Sequence, residues 1–407
     1  MNDDSHFLNQ KVVYTSADLC KRQQRQQQQQ QQQHFILLFN MPRNTSARPD
    51  ESGKWIVSEF GGPEVLKWVT WDPFAEELPA DHVIVRIITA GIAGTDNLQR
   101  VGGYPDPRCT EPGFTLGYDF VGEVVTLGSS ASKENPLSVG DRVTAMFGIG
   151  AYATHIIIPA TELIRIEKTD DPVKVCALPL NYSTAFGMLK RAVTNLVPGS
   201  SILIGSASGG VGTAIAELVK AFDMNLKMIG TCSPSKFEYI KSLGVIPVDR
   251  RAPDLVDQVR ALTGGEGVDV AYDAVGSEES IQKSFQATKK DVGQVIVIGA
   301  MSEISADGSG LRQKDSDLRT VVQERLHSRV TLWSAIVNYK EIQRQVWLED
   351  FFEILEEVRS GELSPTIAKL FKLSEAVKAH EYLISGTDVK GKMLLVADEE
   401  LASQHGL

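Results

Sequence analysis

The sequence feature that most constrains the fold is a glycine-rich loop set between an apolar strand and a helix. A strand is predicted at residues 201–204, the loop occupies 205–212, and apolar residues recur at helical spacing through 211–222. Beyond the loop, predicted strands and helices alternate, with strands at 226–231, 245–248, 268–273 and 295–298 and helices at 234–243 and 255–262. Alternation at this pitch is typical of an α/β fold with a doubly wound parallel sheet.

The loop reads Gly205-Ser206-Ala207-Ser208-Gly209-Gly210-Val211-Gly212, and its chemistry suits a dinucleotide. Glycines let the backbone approach a pyrophosphate closely, and the helix N-terminus that follows supplies unpaired N–H groups and a partial positive charge. Ala207 takes the first glycine place of the GxGxxG pattern, and no Lys-Ser/Thr pair follows, which excludes a P-loop. An ordinary tight turn is the alternative. The predicted cofactor contacts are Ser208, Gly209, Gly210, Val211 and Gly212.

The end of the second strand decides between NAD and NADP. An NAD site usually has an acidic residue about 20 residues beyond the glycines, but residues 230–236 read Gly-Thr-Cys-Ser-Pro-Ser-Lys. A carboxylate would repel a 2′-phosphate, whereas hydroxyls and a lysine would hold it. The sequence therefore predicts NADPH, with Ser233 and Lys236 as phosphate contacts. A solvated Lys236 in the first turn of a helix is the alternative, and Arg250 or Arg251 is a further candidate.

The rest of the chain is predicted to form a second, β-rich domain preceded by an extension. The glutamine tract at 23–33, interrupted only by Arg25, cannot build a core, so residues 1–50 are predicted to be a disordered, Gln-rich extension. Short strands with glycine-rich turns fill 51–185, which is typical of a compact β-rich domain. The nucleotide-binding domain is predicted to cover 186–328, residues 329–398 to return to the β-rich domain, and 399–407 to form a tail.

Seven short segments resemble one known superfamily in their residues, order and spacing. They lie at 90–96 (AGIAGTD), 117–122 (GYDFVG), 139–143 (VGDRV), 177–180 (ALPL), 208–212 (SGGVG), 264–270 (GGEGVDV) and 389–392 (VKGK). Together they resemble the medium-chain dehydrogenase/reductase superfamily, and within it the quinone-oxidoreductase-like branch. The resemblance implies a Rossmann nucleotide-binding domain joined to a GroES-like catalytic domain. It also implies NADPH-dependent reduction of quinones or α,β-unsaturated carbonyls.

The resemblance also bears on a catalytic metal. Zinc-dependent members hold zinc with a Cys, a His-Glu pair and a second Cys or Asp, and the matching positions here are Ala93, Tyr118-Asp119 and Asn181. Zinc prefers thiolate, imidazole and carboxylate ligands in near-tetrahedral geometry, and alanine offers none of these. No metal is therefore predicted. A conjugated acceptor suits this prediction, because its charge spreads into an enolate that one or two hydrogen bonds stabilise.

Because of the resemblance, Asp96 and Tyr104 are expected near the reacting atoms. Thr184 is expected near the cofactor, because its segment precedes the helix between the domains. Tyr104 is predicted to donate a hydrogen bond or a proton to the developing oxyanion, with packing in the turn at 102–105 as the alternative. Asp96 is predicted to line the cleft, or else to cap a helix start. Thr184, like Asn181, either faces the nicotinamide or caps the helix between the domains.

Composition excludes several other classes of protein. The net charge of −11 argues against a nucleic-acid binder, and no apolar run approaches the roughly 20 residues of an integral membrane segment. The four widely spaced cysteines suggest reduced thiols in the cytoplasm. The expected partner is a small-molecule substrate, and the resemblance suggests a homodimer through a sheet edge at 294–299. A trans-acting enoyl reductase, a non-catalytic NADPH-binding protein and a membrane adaptor on the same fold remain alternatives.

Overall fold

The computed structural model describes residues 52–192, 196–312 and 328–407 of the chain. The predicted extension at 1–50 lies outside these ranges. The described residues all belong to one compact unit, Ser46–Leu407. Among them, no helix combines the length and the apolarity needed to cross a bilayer.

The first part of the described chain forms an antiparallel sheet with short helices between its strands. The strands are β1 (Gly53–Val57), β2 (Leu66–Thr70), β3 (His82–Ile92), β4 (Asp119–Leu127), β5 (Arg142–Met146), β6 (His155–Pro159) and β7 (Ile164–Ile166). The helices are α1 (Gly94–Arg100), α2 (Ala131–Glu134), α3 (Pro172–Val175) and α4 (Ser183–Lys190). β1 and β2 form a separate two-stranded sheet. In the main sheet, β3, β4, β5 and β7 pair in that order, and β6 pairs with β3.

The central part of the chain forms a parallel sheet with helices between its strands. The strands are β8 (Ser201–Ile204), β9 (Lys227–Cys232), β10 (Ile246–Asp249), β11 (Val270–Asp273), β12 (Gln294–Val297) and β13 (Val330–Leu332). The helices are α5 (Gly210–Ala221), α6 (Phe237–Ser242), α7 (Leu255–Leu262) and α8 (Glu278–Ala287). The strand order is β10-β9-β8-β11-β12-β13, and each pairing is parallel. The predicted doubly wound sheet is confirmed, because the order reverses between β8 and β11.

The last part of the chain returns to the antiparallel sheet. Its elements are α9 (Arg344–Ser360), β14 (Ile367–Lys372), α10 (Ala376–Ser385), β15 (Lys392–Val396) and α11 (Glu399–Gln404). β15 pairs antiparallel with β3 and parallel with β14, which completes the order β14-β15-β3-β4-β5-β7. The predicted tail forms α11, whose first turn is capped by Asp398: its carboxylate accepts from Leu401 N at 3.0 Å and from the Arg86 guanidinium at 2.7 Å.

The parallel sheet extends past residue 328, where the nucleotide-binding domain was predicted to end. β13 pairs with β12, Val330 opposite Val295, so the sheet reaches Leu332. β13 also covers the edge at 294–299 that was predicted to be free, and that prediction is wrong. The three residues Val330-Thr331-Leu332 are too short an apolar run to predict a strand from periodicity alone.

The hydrophobic core is divided into three clusters. One fills the β-rich domain around Phe120, and another lies on one face of the parallel sheet. The largest cluster joins Tyr118 and Met146 of the β-rich domain to Ile204 and Ile215 of the nucleotide-binding domain. Because the two domains share this packed core, the cleft between them has a defined geometry.

Candidate active site

A cavity of about 960 Å³ lies between the two domains, at the carboxyl ends of β8 and β11. In doubly wound sheets, ligands bind at this point, where the strand order reverses. Gly205 and Tyr272 belong to the nucleotide-binding side of the cavity, while Ala93 and Tyr118 belong to the opposite side. The cavity therefore has two walls, one from each domain.

The glycine-rich loop forms the wall on the nucleotide-binding side. Four predicted cofactor contacts line the cavity: Gly209, Gly210, Val211 and Gly212. Ser208 does not line it, and the Ser208 carbonyl oxygen accepts a hydrogen bond from Gly391 N at 3.2 Å. A Cβ atom at Gly212 would lie 2.6 Å from the Ser206 carbonyl oxygen. Glycine therefore allows α5 to begin directly against the loop, with its free N–H groups at the cavity.

The alanine in the first glycine place is accommodated by a glycine on the next strand. A Cβ atom at Gly230 of β9 would lie 2.6 Å from the Ala207 Cβ. The two backbones are close because Ala207 N donates to the Thr231 carbonyl oxygen at 3.0 Å. The broken fingerprint therefore leaves the loop geometry intact.

Thr184 and Asn181 line the cavity beside the loop. The Thr184 hydroxyl is buried and has no hydrogen-bond partner among the described residues. Helix α4 begins at Ser183 without a side-chain cap, so the capping alternative is not observed for Thr184 or for Asn181. A buried hydroxyl that lacks a partner is costly unless a ligand supplies one. The glycine cradle and this hydroxyl fit the predicted dinucleotide.

Lys236, a predicted phosphate contact, lies at the end of β9 and outside the cavity lining. It is 7% exposed, and its ammonium donates to the carbonyl oxygens of Gly386 at 2.8 Å and Val389 at 3.0 Å. The solvated alternative for Lys236 is therefore wrong. These two hydrogen bonds use two of its three N–H groups and leave one for a further acceptor.

Two other cations accompany Lys236 at this strand end. Burial lowers the pKa of Lys236, and the positive charges of Arg250 and Lys390 lower it further, against the effect of the Asp388 carboxylate. Ser233 precedes the short turn that contains Lys236, and the Ser233 hydroxyl makes no capping hydrogen bond. Like charges held together in this way are relieved by a bound anion. The geometry is thus compatible with the predicted phosphate contacts.

The opposite wall carries a pair of phenols. Tyr104 and Tyr118 both line the cavity, and their hydroxyl oxygens are 2.6 Å apart. The rings pack edge to face, with centroids 6.1 Å apart. Burial raises the pKa of both phenols, that of Tyr118 well above its ordinary value. Both are therefore protonated near neutral pH, and Tyr104 faces the cavity rather than only packing in its turn.

Asp96 lies behind this wall and does not line the cavity, contrary to the prediction. Its side chain is 0% exposed, and its carboxylate accepts from Ala93 N at 2.8 Å and from Gly117 N at 3.2 Å. Burial raises its pKa to about 7, against the effect of these two hydrogen bonds. The structure supports the capping alternative: Asp96 caps α1 and fixes the residue before Tyr118.

The side chains at the zinc-matching positions do not fit a zinc ion. The Tyr118 phenol is already hydrogen-bonded. The Asp119 carboxylate, 0% exposed, is 2.9 Å from the Lys392 ammonium through both of its oxygens. Ala93 has no donor atom and Asn181 offers only an amide. Throughout the described ranges, no group of three or more His, Cys, Asp and Glu side chains is placed to hold a metal ion.

The outer end of the cavity combines an apolar wall with two ion pairs. Its apolar residues include Phe147, Leu332, Trp333, Ile336 and Val337. Arg108 pairs with Asp106 at 2.7 Å, and Lys340 pairs with Glu162 while donating to the Met146 carbonyl oxygen at 2.7 Å. These two ion pairs offset each other's charges, so the apolar side chains of this wall suit the uncharged part of a ligand.

Two family descriptions match separate parts of the chain. Residues 79–168 match the alcohol dehydrogenase GroES-like domain, and residues 210–342 match the zinc-binding dehydrogenase family. The first range covers most of the antiparallel sheet, and the second covers the parallel sheet from α5 to β13. The chain belongs to the medium-chain dehydrogenase/reductase superfamily. The predicted superfamily, and the Rossmann and GroES-like fold, are confirmed.

Within the medium-chain dehydrogenase/reductase superfamily, the chain is quinone-oxidoreductase-like. It is 28% identical to human quinone oxidoreductase over 345 residues, which cover 84% of this chain and 96% of that protein. It is also 28% identical to the 2-haloacrylate reductase of Burkholderia sp. over 348 residues, 84% of this chain and 98% of that protein. The structure of Escherichia coli quinone oxidoreductase complexed with NADPH matches with a TM-score of 0.70 and 25% identity, covering 84% and 99%. The chain is therefore an oxidoreductase of this superfamily.

Three side chains of the site were not predicted from sequence: the hydrogen-bonding phenol of Tyr118, and the ammonium groups of Lys392 and Lys340. A signal existed for Lys392, because β15 is otherwise apolar and a charge buried in such a strand requires a counter-charge. For Tyr118, the sequence indicates only that a tyrosine stands where zinc-dependent relatives have a metal ligand. Lys340 gave no signal, since its partner Glu162 is 178 positions away in sequence.

Proposed function

We propose that this protein is an NADPH-dependent reductase of conjugated carbonyl compounds, of the quinone and α,β-unsaturated carbonyl class, and that it works without zinc. One observation carries the proposal. The Tyr104 phenol and the glycine-rich loop face the same cavity, and the described side chains between them do not form a zinc-type donor set. The human, Burkholderia and Escherichia coli relatives, which are named as quinone oxidoreductases and a 2-haloacrylate reductase, support the same reaction class.

The proposed cofactor contacts follow the nucleotide-binding wall. The pyrophosphate lies at the N-terminus of α5, beside Gly209, because free N–H groups and the helix dipole stabilise negative charge there. The nicotinamide lies near the unpartnered hydroxyl of Thr184. The 2′-phosphate lies at the basic end of β9, near Ser233 and Lys236. NADPH bound in this way supplies the hydride.

The chain's own contribution is to stabilise charge and deliver a proton. When the β-carbon of the acceptor gains hydride, negative charge moves to the carbonyl oxygen. The Tyr104 hydroxyl lines the cavity and donates to that oxygen. The apolar outer end holds the uncharged body of the acceptor and excludes water, which strengthens the hydrogen bond from Tyr104.

The test is NADPH consumption by the purified full-length protein with quinones, enones and saturated ketones. We expect turnover of the first two classes and none of the third, with NADPH preferred over NADH. Tyr104→Phe is expected to lower kcat by about 100-fold with unchanged NADPH affinity. Tyr382→Phe, which changes a tyrosine outside the cavity lining, serves as the matched control.

Two results would contradict this proposal. NADPH binding without turnover of any acceptor would favour the non-catalytic alternative. Zinc at one equivalent per chain in active protein, lost together with activity on chelation, would show that the reaction depends on a metal.

We also propose that the protein forms a homodimer, through β13 rather than through the edge at 294–299. In the described part of the chain, β13 pairs only with β12. A free parallel edge is a surface for pairing with a second copy. Light scattering is expected to give the mass of a dimer, and Thr331→Pro to give a monomer. A wild-type monomer at micromolar concentration would contradict the dimer.

A further inference from the structure

We propose that Tyr118 fixes the direction in which the proton is delivered, by donating its hydrogen bond to Tyr104 so that Tyr104 turns its own O–H toward the acceptor. This inference rests on the proposed function and names a residue that acts through the proton donor. Tyr118 is therefore a positioning residue for the reaction. Its place in the sequence, where zinc-dependent relatives have a metal ligand, gives no hint of this role.

The geometry restricts how the hydrogens are shared. The two hydroxyl oxygens are 2.6 Å apart, which is a short distance for an O–H···O hydrogen bond. One hydrogen lies between the two oxygens, so the other phenol keeps its hydrogen for a third partner. Tyr118 is 4% exposed, whereas Tyr104 is half-buried and nearer the open part of the cleft. The third partner therefore meets Tyr104, and Tyr118 is the donor within the pair.

The electrostatics favour the same direction. Burial raises the pKa of Tyr104, but the hydrogen bond from Tyr118 opposes that rise. Burial and the neighbouring Tyr104 instead raise the pKa of Tyr118 well above its ordinary value. Of the two phenols, Tyr104 is therefore the one that gives up a proton. Other titratable groups near the pair are the carboxylates of Asp96 and Asp106, the Arg108 guanidinium and the Cys109 thiol. All four are engaged in hydrogen bonds of their own.

The donor is held more firmly than the acceptor. The Tyr118 carbonyl oxygen accepts from Phe147 N at 3.0 Å and from Gly148 N at 2.9 Å, and Gly117 N donates to Asp96 at 3.2 Å. Tyr104 lies on the loop between α1 and β4, and its carbonyl oxygen accepts one backbone hydrogen bond, from Asp106 N at 3.0 Å. A rigid donor presents the same hydrogen to Tyr104 before and after the proton leaves, so the chain does not have to reorganise during the step.

The step balances as follows. Hydride from NADPH forms the new C–H bond of the acceptor, NADPH is oxidised and the acceptor is reduced by two electrons. The Tyr104 O–H bond breaks, and its proton goes to the acceptor oxygen. The Tyr104 phenolate that remains is stabilised by the Tyr118 hydroxyl until water returns a proton.

The first experiment is the pH dependence of kcat for the wild type, Tyr118→Phe, Tyr104→Phe and the double variant. Loss of one hydrogen bond to a phenolate is expected to lower kcat about tenfold in Tyr118→Phe, while KM for NADPH stays unchanged. The alkaline decline of kcat should move to higher pH, because the pKa of Tyr104 rises. The double variant should be no slower than Tyr104→Phe, since Tyr118 acts through Tyr104. A double variant slowed by the product of both single factors would overturn the proposal.

A second experiment does not depend on turnover. With ¹³C at the tyrosine ζ carbons, the Tyr104 signal is assigned by its loss in Tyr104→Phe, and its titration is followed by NMR in the full chain. We expect Tyr104 to titrate at lower pH in the wild type than in Tyr118→Phe, with Tyr382→Phe matching the wild type. Equal titration in the wild type and Tyr118→Phe would overturn the proposal. A shifted titration without turnover of any acceptor would instead overturn the proposed function, while the direction of the hydrogen bond from Tyr118 to Tyr104 would be supported.

Discussion

The two walls of the cavity are built by different means. The nucleotide-binding wall is made of backbone: it consists of glycines, a helix N-terminus and main-chain segments so close that a Cβ atom at Gly212 would meet the Ser206 carbonyl oxygen. The wall of the β-rich domain is backed by buried polar side chains that contact one another across long stretches of sequence, as in the pair Asp119–Lys392, 273 residues apart. A wall of closely packed backbone is disturbed most when atoms are added to one of its glycines. A wall supported by paired side chains is disturbed most when one partner of a pair is lost.

The largest effect is expected when the buried ion pair loses one member. Lys392→Met should lower the free energy of unfolding by about 3–5 kcal/mol, because Asp119 is left as an uncompensated buried charge. Urea unfolding measures this. The double variant Asp119→Asn with Lys392→Met should recover much of the loss. If the double variant is as unstable as Lys392→Met alone, packing rather than charge holds this wall together.

The next effect, spread over several pH units, is expected in the pH dependence of stability. Burial raises the pKa of Asp96 from 3.8 to about 7, so the folded chain keeps a proton that the unfolded chain releases. The bound proton of Asp96 then makes its full contribution to the free energy of unfolding below about pH 4. This contribution falls as pH rises toward 7, by at most about 1.4 kcal/mol per pH unit. In Asp96→Asn this slope should disappear between pH 5 and 7. The measurement compares the slope of the free energy of unfolding against pH in the wild type and in Asp96→Asn. Equal slopes would show that the charge of Asp96 does not affect stability.

On the nucleotide-binding wall, a single added methyl group is expected to have different effects at two glycines of the loop, Gly210 and Gly212. In Gly212→Ala the new Cβ meets backbone atoms, whereas in Gly210→Ala it meets the Asn181 side chain, which can rotate away. We expect about a tenfold loss of NADPH affinity for Gly212→Ala, measured by fluorescence titration, and a loss of about threefold or less for Gly210→Ala. The reverse order would mean that side chains, not backbone, shape this wall.

The smallest effect is expected at an ion pair outside both walls. Arg86 pairs with Asp398 at 2.7 Å, but the two side chains are 38% and 23% exposed. Arg86→Gln should lower the free energy of unfolding by less than about 1 kcal/mol. A loss as large as that of Lys392→Met would show that burial does not determine how much each of the two ion pairs contributes to stability.

The sequence predicted the nucleotide-binding wall far better than the other one. Strand β8, helix α7 and the loop between β8 and α5 follow from local periodicity and from glycines that are near one another in the chain. Lys236 was placed at the correct strand end, but its contacts with Gly386 and Val389 come from 150 residues away. The family resemblance predicted Asp96 in the cleft. A carboxylate at a helix start can cap the helix or catalyse, and the local sequence does not distinguish the two roles. The extension at 1–50 and the cytoplasmic location stay predictions.

The contact between Ala207 and Gly230 has a consequence for how such loops vary. Two segments 23 positions apart must together leave room for one methyl group, and either segment can provide that room. The methyl group of Ala207 therefore fits only because residue 230 is a glycine, which has no side chain. A sequence search that requires glycine at the first place of the loop will miss chains in which the glycine lies on the neighbouring strand instead.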